Sequence, residues 1–282
     1  IAWAAEMVGF PDTASGLLVT GTSIANLIGV LVARTAACGA SVRQTGVGRS
    51  PLVAYASAAA HGCIVRAMDM AGLGTDALRL IPTDAAGRMR LPLLRDAIAR
   101  DEAAGCRPFL LVGTAGSVDI GAIDPLEALA DLAQETGLWL HVDAAFGAMA
   151  ALSPRLRPLL AGLERADSVA FDFHKWGQVP YDAGCILVRE AAHQLATFGT
   201  DAAYLRRTAR GLAGGETWPC DLGPDLSRGF RALKVWMTLR THGADRIGAM
   251  VERSCELAQM MAARIDREPA LERLAPVALN IV

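Results

Sequence analysis

Two polar residues that follow apolar runs are the clearest indication of chemistry in this sequence. Lys175 comes near the end of the run Ala166-Asp-Ser-Val-Ala-Phe-Asp-Phe-His-Lys-Trp176, and Asp143 follows the run Leu138-Trp-Leu-His-Val, thirty-two residues earlier. An amine can form an imine with an aldehyde, and a buried carboxylate can pair with a cationic ring nitrogen. Ligands of open α/β sheets collect at the carboxyl ends of strands, so we expect the two side chains to share a site.

This pair meets two of the needs of pyridoxal phosphate (PLP) chemistry. That chemistry takes an imine-forming lysine, an anion for the protonated pyridine nitrogen, a phosphate cradle and a group that flanks the ring. A lone lysine such as Lys175 is usually a solvated surface residue, and a lone carboxylate such as Asp143 often caps the next helix. Their combination favours the cofactor site, where Asp143 would keep the ring positive and so keep it withdrawing electrons from the substrate α-carbon.

The segment Thr20-Gly-Thr-Ser-Ile-Ala-Asn26 supplies a candidate phosphate cradle. It places the hydroxyls of Thr22 and Ser23 at the N-terminus of a predicted helix, where free N–H groups and the helix dipole favour an anion. The alternative is an ordinary helix cap by Thr22 or Ser23. His174 could add a hydrogen bond to the phosphate or orient the site, or it could merely end a strand.

Two more candidates have weaker signals. His61, in Ala58-Ala-Ala-His-Gly62, has a flat imidazole that could stack on the cofactor ring, although a histidine in an alanine-rich helix is more often structural. Ser117 lies in a small-residue loop after a strand, where its hydroxyl could reach the cofactor or simply belong to a turn.

The elements that must position these residues follow a regular order. From Ser15 onward, strand-like and helical patterns alternate, which predicts βαβ units and an α/β fold with a mostly parallel central sheet flanked by helices. We predict helices over 24–34, over 125–137 and beyond Gly229, and strands over 109–114, 138–143, 169–173 and 185–188. Residues 1–9 resemble the end of a helix and 279–282 the start of a strand, so both ends resemble interruptions of a longer protein.

Composition narrows the functional classes. The 282 residues suit one large α/β domain or one domain plus part of another, and 52% hydrophobic residues indicate a globular chain. A net charge of -2 gives no reason to expect nucleic acid or an anionic membrane as partner. Six scattered cysteines without metal-site spacing predict reduced thiols, a cytoplasmic protein and no bound metal. No apolar run is long enough for a membrane span, and no signal peptide is evident.

The chain resembles the group II PLP-dependent amino acid decarboxylases, the family of aromatic amino acid, histidine and glutamate decarboxylases. Six motifs, in the family's order, carry this resemblance over nearly the whole chain. They are Gly21-Thr-Ser-Ile-Ala-Asn26, His61, Thr114-Ala-Gly-Ser117 with Gly121-Ala-Ile-Asp-Pro125, His141-Val-Asp-Ala-Ala145, Ala166-Asp-Ser168 with His174-Lys-Trp176, and Arg228-Gly-Phe-Arg-Ala-Leu-Lys-Val-Trp236.

The resemblance implies a fold-type I enzyme that converts an L-amino acid to an amine and carbon dioxide. It implies that Lys175 forms the internal aldimine, that Asp143 meets the pyridine nitrogen and that His61 stacks on the ring. It further implies a homodimer, with a PLP-binding large domain over 1–268 and the start of a small domain over 269–282. The remaining cofactor residues that it implies are Thr22, Ser23 and His174 at the phosphate, and Ser117 and Ala145 along the pocket.

Two departures from the family pattern leave other outcomes open. Asp172-Phe173 stand where many relatives have Asn-Pro, which brings an extra carboxylate to the phosphate region, so we expect Asp172 to point away or to pair with a cation. The region from Arg206 to Trp218 lacks the loop tyrosine that donates a proton in relatives, and Tyr204 is the nearest one. The alternatives are an aldehyde-forming decarboxylase-oxidase, a carbon-carbon lyase or a non-catalytic truncated remnant.

Overall fold

The computed structural model describes residues 1–48, 51–200, 210–211, 214–215 and 217–282. Within these residues, a sheet of seven strands confirms the predicted α/β architecture. The strands are β1 (Ser15–Val19), β2 (Leu52–Ser57), β3 (Leu78–Ile81), β4 (Arg107–Thr114), β5 (Trp139–Asp143), β6 (Ser168–Asp172) and β7 (Gly184–Val188). Their order is β1-β7-β6-β5-β4-β2-β3. Strand β7 runs antiparallel to both neighbours, and the other pairings are parallel. The carboxyl ends of β4, β5 and β6 therefore meet at one edge of the sheet.

Helices cover both faces of this sheet. They are α1 (Ala2–Val8), α2 (Thr22–Cys38), α3 (Val42–Thr45), α4 (Cys63–Met70), α5 (Leu91–Ala103), α6 (Leu126–Thr136), α7 (Ala191–Phe198), α8 (Arg231–His242) and α9 (Ala244–Ile265). Short 3-10 turns lie at Thr75–Ala77, Gly147–Leu152, Arg157–Leu160, Leu163–Arg165 and Pro219–Asp221. No helix in the described part of the chain is both long enough and apolar enough to cross a membrane.

The central strands are buried on both faces, which explains their continuous apolar runs. In β2, Val53 and Tyr55 join the cluster that contains residues of α1, α5 and α6, while Ala54 and Ala56 join the cluster beneath α4. Successive side chains of a strand point to opposite faces, so one strand contributes to both layers of the core. The rigid sheet fixes the positions from which the site residues project.

The predicted helices and the four predicted strands are confirmed, with bounds that differ by a few residues. The predicted side-chain cap of α2 by Thr22 or Ser23 is wrong. The N-cap residue is Gly21, with no side-chain capping bond. The Thr22 hydroxyl donates instead to the carboxylate of Asp172, at 2.9 Å, because β6 ends directly beside this helix terminus.

Two further local expectations are wrong. The segment 58–62 is a turn and not a helix, because the Ser57 hydroxyl accepts a hydrogen bond from the Ala59 N–H and closes the chain after β2. The segment 279–282 forms no strand. It turns back on itself through a bridge between Ala278 and Ile281, with Leu279 in the left-handed region at φ 52°.

Candidate functional site

One cavity lies at the carboxyl ends of β4, β5 and β6, beside the N-terminus of α2. Its volume is about 590 Å³, within the range of small-molecule sites. The structure brings together all eight residues that the sequence predicted for the cofactor, and they are Thr22, Ser23, His61, Ser117, Asp143, Ala145, His174 and Lys175. A larger cavity of about 870 Å³ lies between α6 and α9 and contains none of these residues. The chemistry points to the smaller cavity, because that one combines an amine, a buried carboxylate and imidazoles.

Lys175 presents its amine to this cavity. Its side chain is 39% exposed, and the Nζ atom lies 3.2 Å from a carboxylate oxygen of Asp172. Asp172 is the last residue of β6 and is 2% exposed. The amine is therefore accessible to a ligand, while its counter-ion is fixed in the sheet.

Asp172 pairs with a cation, which is one of the two outcomes expected for it. Its carboxylate also accepts two hydrogen bonds from Thr22, from the backbone N–H and from the hydroxyl, each 2.9 Å long. Negative charge is stabilised at a helix N-terminus, so the first turn of α2 favours this carboxylate. Both donor groups of Thr22 are thus directed to a protein side chain.

His174 is oriented by the backbone. Its Nδ1 atom accepts a hydrogen bond from the Ala183 N–H at 2.9 Å, so the neutral ring carries its proton on Nε2. Nε2 lies 3.6 Å from the Asp172 carboxylate, and the ring stacks on Tyr181 with centroids 4.1 Å apart. Burial lowers the pKa of His174, and the charge of Asp172 opposes that shift. The Nε2–H group is available as a neutral donor in the cavity.

Asp143, the last residue of β5, is 5% exposed. It accepts hydrogen bonds from the Asn26 side-chain amide at 2.9 Å and from the Ala145 N–H at 3.1 Å. Burial raises the pKa of Asp143, and these two donors oppose the shift. Both donors are neutral, so a cationic group against this carboxylate would stabilise its ionised form. A protonated ring nitrogen fits that requirement.

His61 and Ser117 line the cavity from two loops. His61 is exposed, and its Nδ1 atom accepts a hydrogen bond from the Cys63 N–H at 3.2 Å. Ser117 is buried, and its hydroxyl oxygen accepts a hydrogen bond from the Ala122 N–H at 3.0 Å. The Asp124 carboxylate accepts from the Thr114 N–H at 2.9 Å and holds the base of the same loop. The Ser117 hydroxyl therefore stabilises its own loop in addition to lining the cavity.

Sequence reasoning assigned no role to Asn26 or Cys63, which both support Asp143. Asn26 lies four residues after Thr22, and this helical spacing places the two on one face of α2. The Cys63 sulfur lies 3.9 Å from an Asp143 oxygen, and burial raises the pKa of this thiol to about 12. Tyr204 and most of the region 206–218 lie outside the described residues.

Comparison with known proteins identifies relatives over the full chain. The family model described as the pyridoxal-dependent decarboxylase conserved domain matches residues 1–282. An aromatic-L-amino-acid decarboxylase of Bacillus atrophaeus is 34% identical over 282 residues, which are 100% of this chain and 57% of that protein. The chain therefore spans less than three fifths of the length of this curated relative.

Solved structures show the same fold. The crystal structure of Oryza sativa TDC with PLP and tryptamine superposes with a TM-score of 0.91 and 29% identity, and the match covers 99% of this chain and 59% of that one. The Rhodiola rosea 4-hydroxyphenylacetaldehyde synthase superposes with a TM-score of 0.85 and 26% identity, covering 99% of this chain and 58% of that one.

Proposed function

We propose, from the premise that this chain belongs to the pyridoxal-dependent decarboxylase family, that the whole protein removes carbon dioxide from an L-amino acid with PLP as its cofactor. The observation that carries the proposal is the meeting of the Lys175 amine and the buried Asp143 carboxylate in one cavity of about 590 Å³. When bound, PLP supplies an electron-withdrawing ring that stabilises the electron pair left on the α-carbon.

The side chains around the cavity suit the parts of this cofactor. We assign the Lys175 amine to the cofactor aldehyde, as the covalent attachment point, and Asp143 to the ring nitrogen. His61 would lie against the ring, and Ser117 and Ala145 would line the pocket. This division is supported by chemistry, because the amine is accessible and the carboxylate has only neutral hydrogen-bond donors.

The phosphate end would lie at the first turn of α2. Ser23 offers a hydroxyl there, and His174 offers its Nε2–H group, whose direction the Ala183 N–H fixes. Thr22 belongs to the same turn, although both of its donor groups contact Asp172. The phosphate would therefore bind beside a fixed carboxylate, and Ser23 and His174 would be its main side-chain donors.

An aromatic L-amino acid is the substrate class that we propose. The named activity of the Bacillus atrophaeus relative supports it, and so does an aromatic wall in the cavity. Phe146 and Trp176 both line the cavity and contact each other edge to face, with ring centroids 5.1 Å apart. Such a wall favours a flat apolar side chain over an acidic one. Carbon dioxide release from tryptophan, tyrosine and phenylalanine should exceed release from glutamate.

The covalent assignment can be tested directly by locating the attached cofactor. The given sequence contains two lysines, Lys175 and Lys234. Borohydride treatment of the whole protein with PLP fixes the cofactor to the amine that holds it, and peptide mapping then locates the label. We expect it on Lys175, and we expect Lys175→Ala to lose the visible absorbance of bound cofactor. Lys234→Ala is the matched control, since Lys234 pairs with Asp182 at 3.5 Å. Label on another residue would refute the assignment, and a protein that does not bind PLP would favour a non-catalytic domain.

A second candidate function is aldehyde formation with oxygen consumption. The similarity to the Rhodiola rosea 4-hydroxyphenylacetaldehyde synthase supports it, together with the absence of tyrosine from positions 206–218 of the sequence. Without a well-placed proton donor, decarboxylation can be diverted to oxidation. Oxygen uptake with release of ammonia and aldehyde during turnover would favour this function, whereas amine as the sole product would exclude it.

The proposal also includes a cytoplasmic homodimer. All six cysteines are unpaired, which is consistent with a reducing compartment. On α8, Trp236 is 51% exposed, and Phe230 just before the helix is 76% exposed, so an apolar surface is available to a second subunit. Light scattering of the whole protein tests the dimer. The division into a large domain over 1–268 and the start of a small domain over 269–282 stays a prediction.

A further inference from the structure

Five side chains form a continuous hydrogen-bonded line that ends at the cavity. The Trp139 indole nitrogen donates to the Ser168 hydroxyl oxygen at 2.8 Å. That oxygen lies 2.7 Å from Nδ1 of His141. On the other side of the ring, Nε2 lies 2.8 Å from the Asn26 amide oxygen, and the Asn26 amide nitrogen donates to Asp143 at 2.9 Å.

The Trp139 end is compatible with one direction along this line. An indole N–H can only donate, so the Ser168 oxygen accepts from Trp139 and its own proton remains available to Nδ1 of His141. With Nδ1 as acceptor, the neutral ring carries its proton on Nε2 and donates it to the Asn26 oxygen.

The Asp143 end fixes this direction. An ionised carboxylate only accepts, so Asn26 must turn its NH2 group toward Asp143 and its oxygen toward His141. The oxygen requires a donor, which again places the proton of His141 on Nε2. Nδ1 of the neutral ring then accepts from the Ser168 hydroxyl, whose oxygen accepts from Trp139, so the line is a single satisfied network.

The middle of the line is sealed from solvent. Asn26, His141 and Ser168 are all 0% exposed. Burial lowers the pKa of His141 to about 4, so the ring is neutral near physiological pH. A neutral, buried imidazole can still orient its neighbours, because it has one N–H donor and one nitrogen acceptor.

A glycine in α2 provides the space for this ring. A Cβ atom at Gly29 would lie 2.5 Å from Cε1 of His141 and 2.7 Å from Nδ1. Glycine is disfavoured in a helix interior because it gives the unfolded chain extra freedom. Helix α2 therefore accommodates the imidazole at a local cost in helix propensity.

We propose that His141 is a positioning residue, which acts through Asn26 to hold the Asp143 carboxylate ionised and aimed at the nitrogen of the cofactor ring. This inference rests on the proposed function. If Ser168 lost its hydroxyl, the His141 proton could move to Nδ1, and Nε2 would then present a lone pair to the Asn26 oxygen. Asn26 would turn its amide, and its oxygen would repel Asp143.

Ser168→Ala in the whole protein tests this role, with Ser153→Ala as the matched control. Ser153 is also 0% exposed, and its hydroxyl contacts Glu252 at 2.7 Å, outside the cavity. We expect Ser168→Ala to weaken PLP binding about tenfold, by analogy with the residues that orient metal ligands. The control should bind within about twofold of wild type. The 15N chemical shift of the bound ring nitrogen should move toward the unprotonated value in Ser168→Ala alone.

The tautomer can also be read in the wild-type protein, where no variant has to fold. We expect the 15N spectrum of His141 to show the proton on Nε2, and a proton on Nδ1 would overturn the proposal. Equal PLP affinity and an equal ring-nitrogen shift in Ser168→Ala and Ser153→Ala would also overturn it, while leaving the proposed function intact. If the wild-type protein bound no PLP, the proposed function and this role would fail together.

Discussion

The ε-amine of Lys175 lies 3.2 Å from the carboxylate of Asp172, at the end of β6. The same carboxylate accepts two hydrogen bonds from Thr22 in the first turn of α2. The N-terminus of α2 could bind an anion, and the Asp172 carboxylate already lies there. A phosphate bound by Ser23 and His174 would share this region with a fixed negative charge.

Asp172→Asn should therefore strengthen PLP binding about tenfold, because it removes a like charge near the phosphate and frees the Lys175 amine. Asparagine keeps an oxygen that can accept the Thr22 N–H, so the turn should persist. Titration of the apoprotein with PLP, followed by absorbance, measures the effect. Asp101→Asn is the control, since Asp101 pairs with Arg79 away from the cavity. Weaker binding by Asp172→Asn would show that the carboxylate helps to assemble the site.

Gly184→Ala should destabilise the fold and loosen the cofactor site. A Cβ atom at this position would lie 2.5 to 2.7 Å from the backbone of Gly21, so β7 or the turn before α2 must shift. We expect a loss of about 1–3 kcal/mol in the free energy of unfolding, together with weaker PLP binding. Gly229→Ala is the control, because a Cβ there meets no atom within 4 Å. Equal stability of the two variants would contradict the close approach of β7 to Gly21.

Cys63 should resist alkylation in the folded protein. It is 5% exposed, and burial raises the pKa of its thiol to about 12, so the reactive thiolate is scarce. The half-buried Cys38, Cys106 and Cys220 should react first with iodoacetamide under native conditions, as peptide mapping can show. Rapid labelling of Cys63 would mean that the packing beside Asp143 opens readily, and urea-unfolded protein provides the fully labelled reference.

Periodicity in the sequence predicted the framework of the site. The apolar runs that end at Thr114, Asp143 and Asp172 are strands β4, β5 and β6, and parallel neighbours bring their carboxyl ends to one edge. Lys175 follows the last of these, so its meeting with Asp143 in one cavity could be expected from order and spacing alone. Local patterns carry this information because strand direction is set by the connecting helices.

The contacts that support the site residues could not be predicted from the periodicity of the sequence. Thr22 and Asp172 are 150 positions apart, and Asn26 and His141 are 115 apart, so each contact depends on how α2 packs against the sheet. Side chains alternate along a strand, so His141 lies on the same face of β5 as Asp143. This alternation does not identify the residue of α2 that His141 contacts. Phe230 likewise belongs to an apolar helical pattern, yet its side chain is exposed. The local sequence does not indicate which surface would cover it.

Asp124 should make stability depend on pH. It is 4% exposed, and burial raises the pKa of Asp124 to about 6, although the Met89 and Thr114 N–H groups donate to its oxygens. A carboxyl with a raised folded-state pKa stabilises the fold at low pH and loses that contribution as the pH rises through about 6. The unfolding free energy of wild type minus that of Asp124→Asn should thus fall by up to about 3 kcal/mol between about pH 4 and pH 6. Urea unfolding across this range measures it, and a difference that stays constant or grows with pH would show that Asp124 titrates normally.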